Sequence, residues 1–521
     1  MLTHKIVKII KKINRRKDAH LTRLLVKNFK PVDINNSKHI FIFNQVESNY
    51  YLKLYALASY ALSRRGIASY FLYKDDLLSP HNPEFNINGY EISNAMTIEN
   101  RGFISSLHSS NGNLFFEWVI DIENEKIESQ GVNFFYIIAS TLRKIQKRYN
   151  VFFKDDDNNP VYNDLIKSCD LLLKYFLLFK EYAKKNKKKI RLVGFETSYI
   201  PNGVWRILCD QLSSDRDVEY IELRRGYIYY FGKHHIRDSY ITSENLTKTK
   251  LPVSFTVSRD EMSEFDDNAI EFSKLAKPIS NALEKNIYDK APESQQNIIR
   301  MIKTYRSRGK NIFCLFAHLF YDTPIEDSST AFHGMCEWIS ETVNYFKDKE
   351  DLLLIKPHPA EFEKDQPKKA PNETLASFLS NTELPENILL LEQHQFTIND
   401  LNPFISCGLI WRSSVGMELT FLGVPNIIAG TPIYNSLDLN YAKNKEHYFY
   451  MIAHAAELKV PQQQQKDVAK YLYLLERKHI KIDSISYNQD FRKFYWNRKA
   501  LLRHLKSGSE NISSIVDASL L

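Results

Sequence analysis

Cysteine is scarce in this chain and carries no pairing signal. Its five residues (Cys169, Cys209, Cys314, Cys336, Cys407) are odd in number and widely spaced. No CxxC pair and no His/Cys cluster at zinc-ligand spacing occurs, which argues against a disulfide framework and a structural zinc site. Cys314 lies inside the apolar run NIFCLFA, the setting of a buried free thiol in a reducing compartment. No small-residue cleavage site follows a hydrophobic stretch near the start, so no signal peptide is expected. The longest apolar run, Leu171 to Phe179, is broken by Lys174 and is far too short to span a bilayer. These absences lead to the expectation of a cytoplasmic protein, soluble or peripheral on the membrane. Internal repeats and low-complexity tracts are missing too. So is any DxD-type motif in a context requiring a metal: Asp155-Asp156-Asp157 precedes Asn-Asn-Pro and reads as a solvated turn. No metal and no cofactor is expected.

What is present is ordinary globular material in quantity. At 521 residues the chain is too long for one core, and two or three domains follow. Hydrophobic residues make up 43% and charged residues 25%, which argues against disorder. The 30 Tyr and 32 Phe suit sugar stacking as well as ordinary cores. The net charge of +8 is concentrated: residues 1–30 hold ten Lys or Arg (Lys5, Lys8, Lys11, Lys12, Arg15, Arg16, Lys17, Arg23, Lys27, Lys30) against Asp18 alone. Leu2, Ile6, Ile9, Ile10 and Ile13 recur at helical spacing. A basic amphipathic helix of this kind lies on an anionic membrane surface, or else stays solvated or packs on its own domain. No nucleic-acid recognition motif accompanies the charge.

The pattern along the chain is α/β. HIFIFNQVE from His39, a helical stretch from Tyr50 to Arg65, and IASYFLY make a βαβ unit. A long helix is expected over Asn158 to Lys188, then strands at IRLVGFE, EYIELRR and YIYYFGK. The polar stretch DKAPESQQN is the expected domain boundary. Beyond it, NIFCLFA, DLLLIK, NILLLE, CGLIW and VPNIIAG are short strands. Helical segments at Thr330–Lys347, TINDLNPF and Ser414–Leu422 alternate with them, the pattern of a doubly wound parallel sheet. Two helices, over 463–477 and 487–505, are expected to close the chain.

Ligands of such sheets bind beyond the carboxyl ends of the strands, so the residues following each strand are the candidate site. Lys356-Pro357-His358-Pro359 follows DLLLIK; the prolines fix the backbone, and the imidazole and ammonium suit a phosphate and its developing charge. A turn histidine bonded to backbone is the structural alternative. Arg412-Ser413-Ser414-Val415-Gly416-Met417-Glu418 follows CGLIW. Ser414 is a natural N-cap, the helix start offers N–H groups to an anion, and Gly416 allows close approach of a ligand.

These two segments, followed by GTPIY, resemble the donor domain of bacterial capsule polysaccharide biosynthesis glycosyltransferases, a group that includes the β-Kdo transferases. Their His-Pro and Ser-Ser elements are also similar to those of bacterial sialyltransferases and teichoic-acid glycerophosphotransferases. The match covers roughly residues 310–440. The resemblance implies a GT-B architecture: two Rossmann-like doubly wound parallel-sheet domains facing each other across a cleft, with a C-terminal helix crossing back. The divisions expected are a basic segment over 1–30, an acceptor domain over 31–290, a nucleotide-sugar donor domain over 291–480, and a returning segment over 481–521 in which SYNQDFRKFYWNRKALLRHL is the crossing helix.

The resemblance further implies that His358 contacts the donor phosphate, that Ser413 and Ser414 bind it, and that Glu418 holds the donor ribose. Lys356, Arg412, Gly416 and His318 complete the expected donor-binding set. A cytidine nucleotide is favoured as the donor's base. His318 or Asp322, after the first donor-domain strand, is placed to position a sugar or phosphate, with loop capping as the alternative for Asp322. Glu196, in GFETSY, is the first candidate for general base or, in a retaining mechanism, for a carboxylate acting on the anomeric carbon; a capping or surface glutamate is the alternative, and Asp238 is a rival. The expected activity is metal-independent transfer of a sugar, Kdo or another CMP-activated one, to a glycan or lipid-linked acceptor, in company with other capsule assembly proteins. Transfer of a polyol phosphate from a CDP-polyol, and a non-catalytic scaffold of the assembly complex, are the other readings.

Overall fold

The computed structural model describes residues 2–44, 49–72, 103, 107, 114–147, 149, 151, 153, 161–194, 198–213, 215–225, 228–230, 233–235, 240–245, 257–265, 292–322, 331–362, 372–392, 396–477, 480–488 and 493–507. They form two α/β units, each built on an open sheet with buried side chains on both faces.

The N-terminal unit begins with helix α1 (Leu2–Asn28), strand β1 (His39–Phe43), helix α2 (Asn49–Ser63) and strand β2 (Ala68–Phe71). A three-stranded antiparallel meander follows: β3 (Val119–Asp121), β4 (Lys126–Ser129) and β5 (Val132–Asn133). Then come α3 (Phe135–Gln146), α4 (Val161–Asn186), β6 (Lys189–Gly194), α5 (Asn202–Leu212) and β7 (Val218–Arg225). A small ribbon of β8 (Ile228–Tyr230) and β9 (Lys233–His235) leads to β10 (Tyr240–Asn245). Strands β1, β2, β6 and β7 pair in parallel, and β10 joins β7 antiparallel. Alternation divides the sheet's faces: Ile40 and Ile42 pack with α3, α4 and α5, whereas Phe41 and Phe43 pack with α1 and α2.

The C-terminal unit runs through α6 (Arg259–Glu264), α7 (Glu293–Ser307), β11 (Ile312–Phe316), α8 (Met335–Lys347), β12 (Leu352–Lys356), α9 (Leu375–Leu379), β13 (Ile388–Leu390), α10 (Ile398–Leu401), β14 (Cys407–Ile410), α11 (Val415–Phe421) and β15 (Asn426–Ile428). All five strands are parallel, in the order β13-β12-β11-β14-β15. This is the strand order of a Rossmann-type sheet. Each strand is a short run buried on both faces, so Leu353 and Ile355 look into one core and Leu352 and Leu354 into the other. Helix α11 ends at Gly423, whose φ of +77° lets the chain turn at once into β15. Helices α12 (Lys445–Ala453) and α13 (Gln462–Arg477) cover the two faces.

The chain then returns to the N-terminal unit. Strand β16 (Ile480–Lys481) pairs with β10, completing the sheet order β16-β10-β7-β6-β1-β2. The expected helix over 487–505 is a correction: β17 (Ile485–Asn488) and β18 (Lys493–Trp496) form a hairpin, and only α14 (Arg498–Ser507) is helical. The reason lies in the period, because Phe494 and Trp496 are both buried in the core that holds α1 and α2, which is alternation by two, not by 3.6. Helix α8 likewise starts at Met335 rather than Thr330. The sequence-level boundary at 290/291 lies outside the described residues.

Helix α1 is bound into this return. Leu21 and Leu25 are buried beside Leu501 of α14. The Asp18 carboxylate accepts from Lys53 Nζ at 2.7 Å and from the Trp496 backbone N–H at 2.8 Å, and Trp496 Nε1 donates to Thr22 Oγ1 at 2.9 Å. The sequence alternatives for the first 30 residues therefore divide along the helix: its second half packs on the domain, while the stripe Leu2 to Ile13 falls among side chains outside the description. Among the described residues no helix is long and apolar enough to cross a membrane.

Candidate functional site

In a sheet ordered 3-2-1-4-5 the chain reverses direction between the first and fourth strands, and the crevice beyond their carboxyl ends is the ligand position. Here those strands are β11 and β14, and the segments leaving them are Ala317-His318 and Trp411-Arg412. Register fixes the rim: Phe316 lies opposite Lys356 on one side and Ile410 on the other. The Ala317 N–H donates to the Lys356 carbonyl at 3.0 Å, and the Gly430 N–H to the Trp411 carbonyl at 2.8 Å. Gly430 is required there, because a Cβ would sit 2.6 Å from that same carbonyl oxygen.

Three of the expected donor-binding residues, His318, His358 and Arg412, are neighbours at this crevice, and Lys356 ends the adjoining strand. The His318 and His358 rings lie 5.6 Å apart between centroids and are inclined by 42°. Burial pushes the His318 imidazole below its ordinary pKa of 6.5; Asp322 and the Leu319 carbonyl oppose this, and Arg412 reinforces it. Lys356 is also held below the usual lysine value by burial, against the pull of Cys314 and Asp400. A guanidinium and two imidazoles thus share a partly desolvated rim, while the Lys356 ammonium lies within the influence of Cys314 and Asp400. Such a set suits a phosphate.

The Arg412–Glu418 segment is placed as expected but works differently in detail. Ser414 occupies the N-cap position of α11 without a side-chain cap bond. Its hydroxyl donates to Glu418 Oε1 at 3.2 Å, and it is Ser413 Oγ that accepts the Val415 N–H at 3.1 Å. Ser414 is thus at the expected N-cap position but does not cap with its side chain: its backbone is αR, and its hydroxyl donates to the Glu418 carboxylate one turn on instead of accepting a helix N–H. Gly416 has a structural reason of its own. It is buried, and a Cβ there would lie 2.3 Å from the Tyr434 hydroxyl, which itself donates to the Ser413 carbonyl at 2.6 Å. The glycine makes room for Tyr434. Asn426 reinforces the turn by donating to the Gly416 carbonyl and to Thr420 Oγ1, at 3.2 and 2.9 Å.

Asp322 faces two ways. It neighbours His318 electrostatically, and it contacts the N-terminal unit: Lys144 Nζ lies 3.4 Å from Oδ1 and the Tyr199 hydroxyl 3.5 Å. Lys144 in turn sits 3.8 Å from the centre of the Tyr199 ring. Tyr199 follows β6 and Asp322 follows β11, so the carboxyl edges of the two sheets approach each other here. A second junction lies beside it, where the Tyr149 N–H donates to Glu373 Oε2 at 2.6 Å and Arg143 stacks over the Tyr149 ring at 4.4 Å. Nothing in the sequence marked Lys144 as part of a site; helix α3 itself went unrecognised, because its apolar face follows a meander with no turn signature. Glu196, Asp238 and Asp155–Asp157 lie outside the described residues.

Glu361, one turn beyond His358, was also missed. Its carboxyl is buried, accepts the Leu375 N–H at 3.1 Å through Oε2, and has no partner for Oε1. Burial raises it to about 7, against the Leu375 hydrogen bond. Among the described residues no group of three or more His, Cys, Asp or Glu is arranged to hold a metal.

No family model matches the chain, and no curated protein matches it. Among solved structures it is similar to the β-Kdo 2,7 transferase of Thermosulfurimonas dismutans KpsC, with 15% identity over 64% of this chain and 90% of that one, at a TM-score of 0.28. It is also similar to the β-Kdo 2,4 transferase of the same protein, with 12% identity over 61% and 87%, at 0.28. A third similar structure is Anabaena Alr3699/HepE in complex with UDP-glucose, with 10% identity over 84% and 95%, at 0.24.

Proposed function

We propose that the chain is a glycosyltransferase whose C-terminal unit binds a nucleotide sugar at the β11/β14 crevice. The observation that carries the reading is the convergence of His318, His358 and Arg412 at the switch point of a Rossmann-type sheet, with Lys356 at the end of the neighbouring strand. The motif resemblance of KPHP and RSSVGMELTFLGVP to capsule polysaccharide glycosyltransferases supports it independently.

In this reading an acceptor hydroxyl forms a bond to the anomeric carbon as the bond from that carbon to the nucleotide phosphate breaks. Negative charge gathers on the departing phosphate. His358, His318, Arg412 and Lys356 are set to stabilise it, with Ser413 contributing a hydroxyl, and a preorganised set of this kind acts more strongly in a desolvated crevice than in water. Glu418, restrained by Ser414, is offered to the donor ribose. The acceptor proton goes to a carboxylate, Glu196 or Asp322. The donor is a cytidine-linked sugar such as CMP-Kdo, no metal is used, and the acceptor is a growing glycan or glycolipid of capsule assembly at the inner membrane face, reached from the cytoplasm.

The test is incubation with a panel of CMP-, CDP-, UDP- and GDP-linked sugars, with and without a chelator. Release of free nucleotide with transfer or hydrolysis of the sugar supports the reading. A product carrying a polyol phosphate identifies the phosphotransferase instead, and complete inertness toward every donor identifies a scaffold.

A further inference from the structure

We propose that Lys144 of the N-terminal unit is a positioning residue for His318, acting through Asp322. With the units in contact, its ammonium group holds the Asp322 carboxylate and offsets its charge; when they part, His318 faces that carboxylate alone. The inference rests on the reading of His318 as a donor-phosphate group.

The geometry supplies each link. Lys144 Nζ is 3.4 Å from Asp322 Oδ1, the Tyr199 hydroxyl donates to the same oxygen at 3.5 Å, and the Tyr199 ring supports the ammonium at 3.8 Å. Asp322 ends the single helical turn Phe320–Asp322 that starts two residues after His318, and its N–H is tied to the Leu319 carbonyl at 3.3 Å. The turn therefore keeps the Asp322 backbone close in the chain to His318, within the electrostatic influence between them. Among the described residues, the groups facing His318 include Arg412 beyond β14, the His358 ring beyond β12, and the Leu319 carbonyl 3.3 Å from Nδ1. Arg412 opposes a proton on the ring, and Asp322 and the Leu319 carbonyl favour it. Lys144 decides how much of the Asp322 influence remains.

The consequence is a change of charge state that follows unit contact. Apart, the uncompensated carboxylate favours the imidazolium, which attracts an incoming phosphate. Together, Lys144 takes up the carboxylate and the imidazole is released toward its neutral form. Neither Lys144 nor Tyr199 needs to touch the nucleotide for this.

The experiment is a histidine titration of the full chain by NMR with labelled histidine, the His318 signal assigned by its loss in His318→Gln. Lys144→Met is expected to raise the His318 midpoint by about half a pH unit, the scale of one charge removed several ångströms away. Lys144→Arg should restore it, and Asp322→Asn should lower it. In the Asp322→Asn background, Lys144→Met should shift the midpoint by less than half as much. An unchanged midpoint in Lys144→Met, or an equal shift with and without Asp322, overturns the proposal. Both positions are partly exposed, at 39% and 43%, so the variants are expected to fold, and a melting curve on each preparation checks it. The titration needs no substrate: if no nucleotide sugar binds, the functional reading fails while the Lys144–Asp322–His318 coupling is still measured.

Discussion

His318 and His358 leave neighbouring parallel strands and bring their imidazoles to 5.6 Å of each other, so each helps to define the polarity of the crevice the other faces. The pair exists because β11 and β12 end in register, with Phe316 opposite Lys356.

From this follows the central expectation. His358→Ala, and the double change Ser413→Ala/Ser414→Ala, should lower donor turnover about a hundredfold or more, the usual cost of losing one preorganised donor. These side chains stand at strand ends and fill no apolar core, so melting temperature should barely move for His358→Ala and should fall only by the loss of a helix-start hydrogen bond, about 1 kcal/mol, for the serine pair. A lowered melting temperature with near-normal specific activity would mean that the histidine only braces its turn.

Nucleotide selectivity is read without turnover. Ligand binding to the folded state raises apparent stability with the logarithm of ligand concentration over the dissociation constant. CMP and CDP should shift the melting temperature more than UDP or GDP, and should do so in the presence of a chelator. Equal shifts for all bases would remove the cytidine assignment.

Glu361 gives a pH signature. Its folded-state pKa of about 7 stands above the ordinary 4.5, so the native state holds a proton that the unfolded chain releases first. Stability from this group is present below pH 4.5 and lost as pH rises to about 7, by roughly 3 kcal/mol at most. Glu361→Gln keeps the acceptor for the Leu375 N–H and removes the charge. It should melt higher than the parent at pH 8, and the gain should vanish near pH 4. A pH-independent difference would show that the buried carboxyl ionises freely.

The basic half-turns of α1 are tested by charge, not by deletion, because removing residues 1–30 would also remove Asp18, Thr22, Leu21 and Leu25 from the core. Lys5, Lys8, Lys11 and Lys12 changed together to Gln should abolish sedimentation with vesicles containing phosphatidylserine, since each such charge contributes about 1 kcal/mol near an anionic surface. Undiminished sedimentation would assign these residues to solvent.

Asp18→Asn makes the opposite kind of prediction. It leaves Lys53, only 1% exposed, without its counter-charge, and breaking a buried pair in this way costs about 3–5 kcal/mol. Chemical denaturation should show that loss. Replacing Asp18 and Lys53 together by Leu and Met should recover much of it.

The C-terminal unit was legible because its strands are short, unbroken apolar runs, and Lys356, His358 and Arg412 could be placed at their ends by position alone. The N-terminal unit was less so. The Val119–Asn133 meander leaves Val119 and Ile120 about half exposed, and α5 begins at Asn202 directly after a proline, without a polar cap to announce it. The hairpin at Ile485–Trp496 hid behind aromatic residues that suit helix and strand equally. Within the site, the surroundings of Ser413 and Gly416 depend on Tyr434, some twenty residues away, and no local pattern encodes that contact.

The return of the chain sets an order of assembly. The five strands of the C-terminal sheet lie within Ile312–Ile428 and pair with one another inside that span, with only a bridge from Ile428 to Tyr441 added just beyond it. The N-terminal sheet is different, because β16 forms its edge and the Trp496 N–H reaches Asp18, 478 residues earlier. A ribosome releases the N-terminal unit first, yet that unit lacks its outer strand and the hairpin that closes over α1 until nearly the whole chain has emerged. The half that is made first is finished last, and during synthesis its apolar face beneath α1 and α2 is the surface that a chaperone would have to shield.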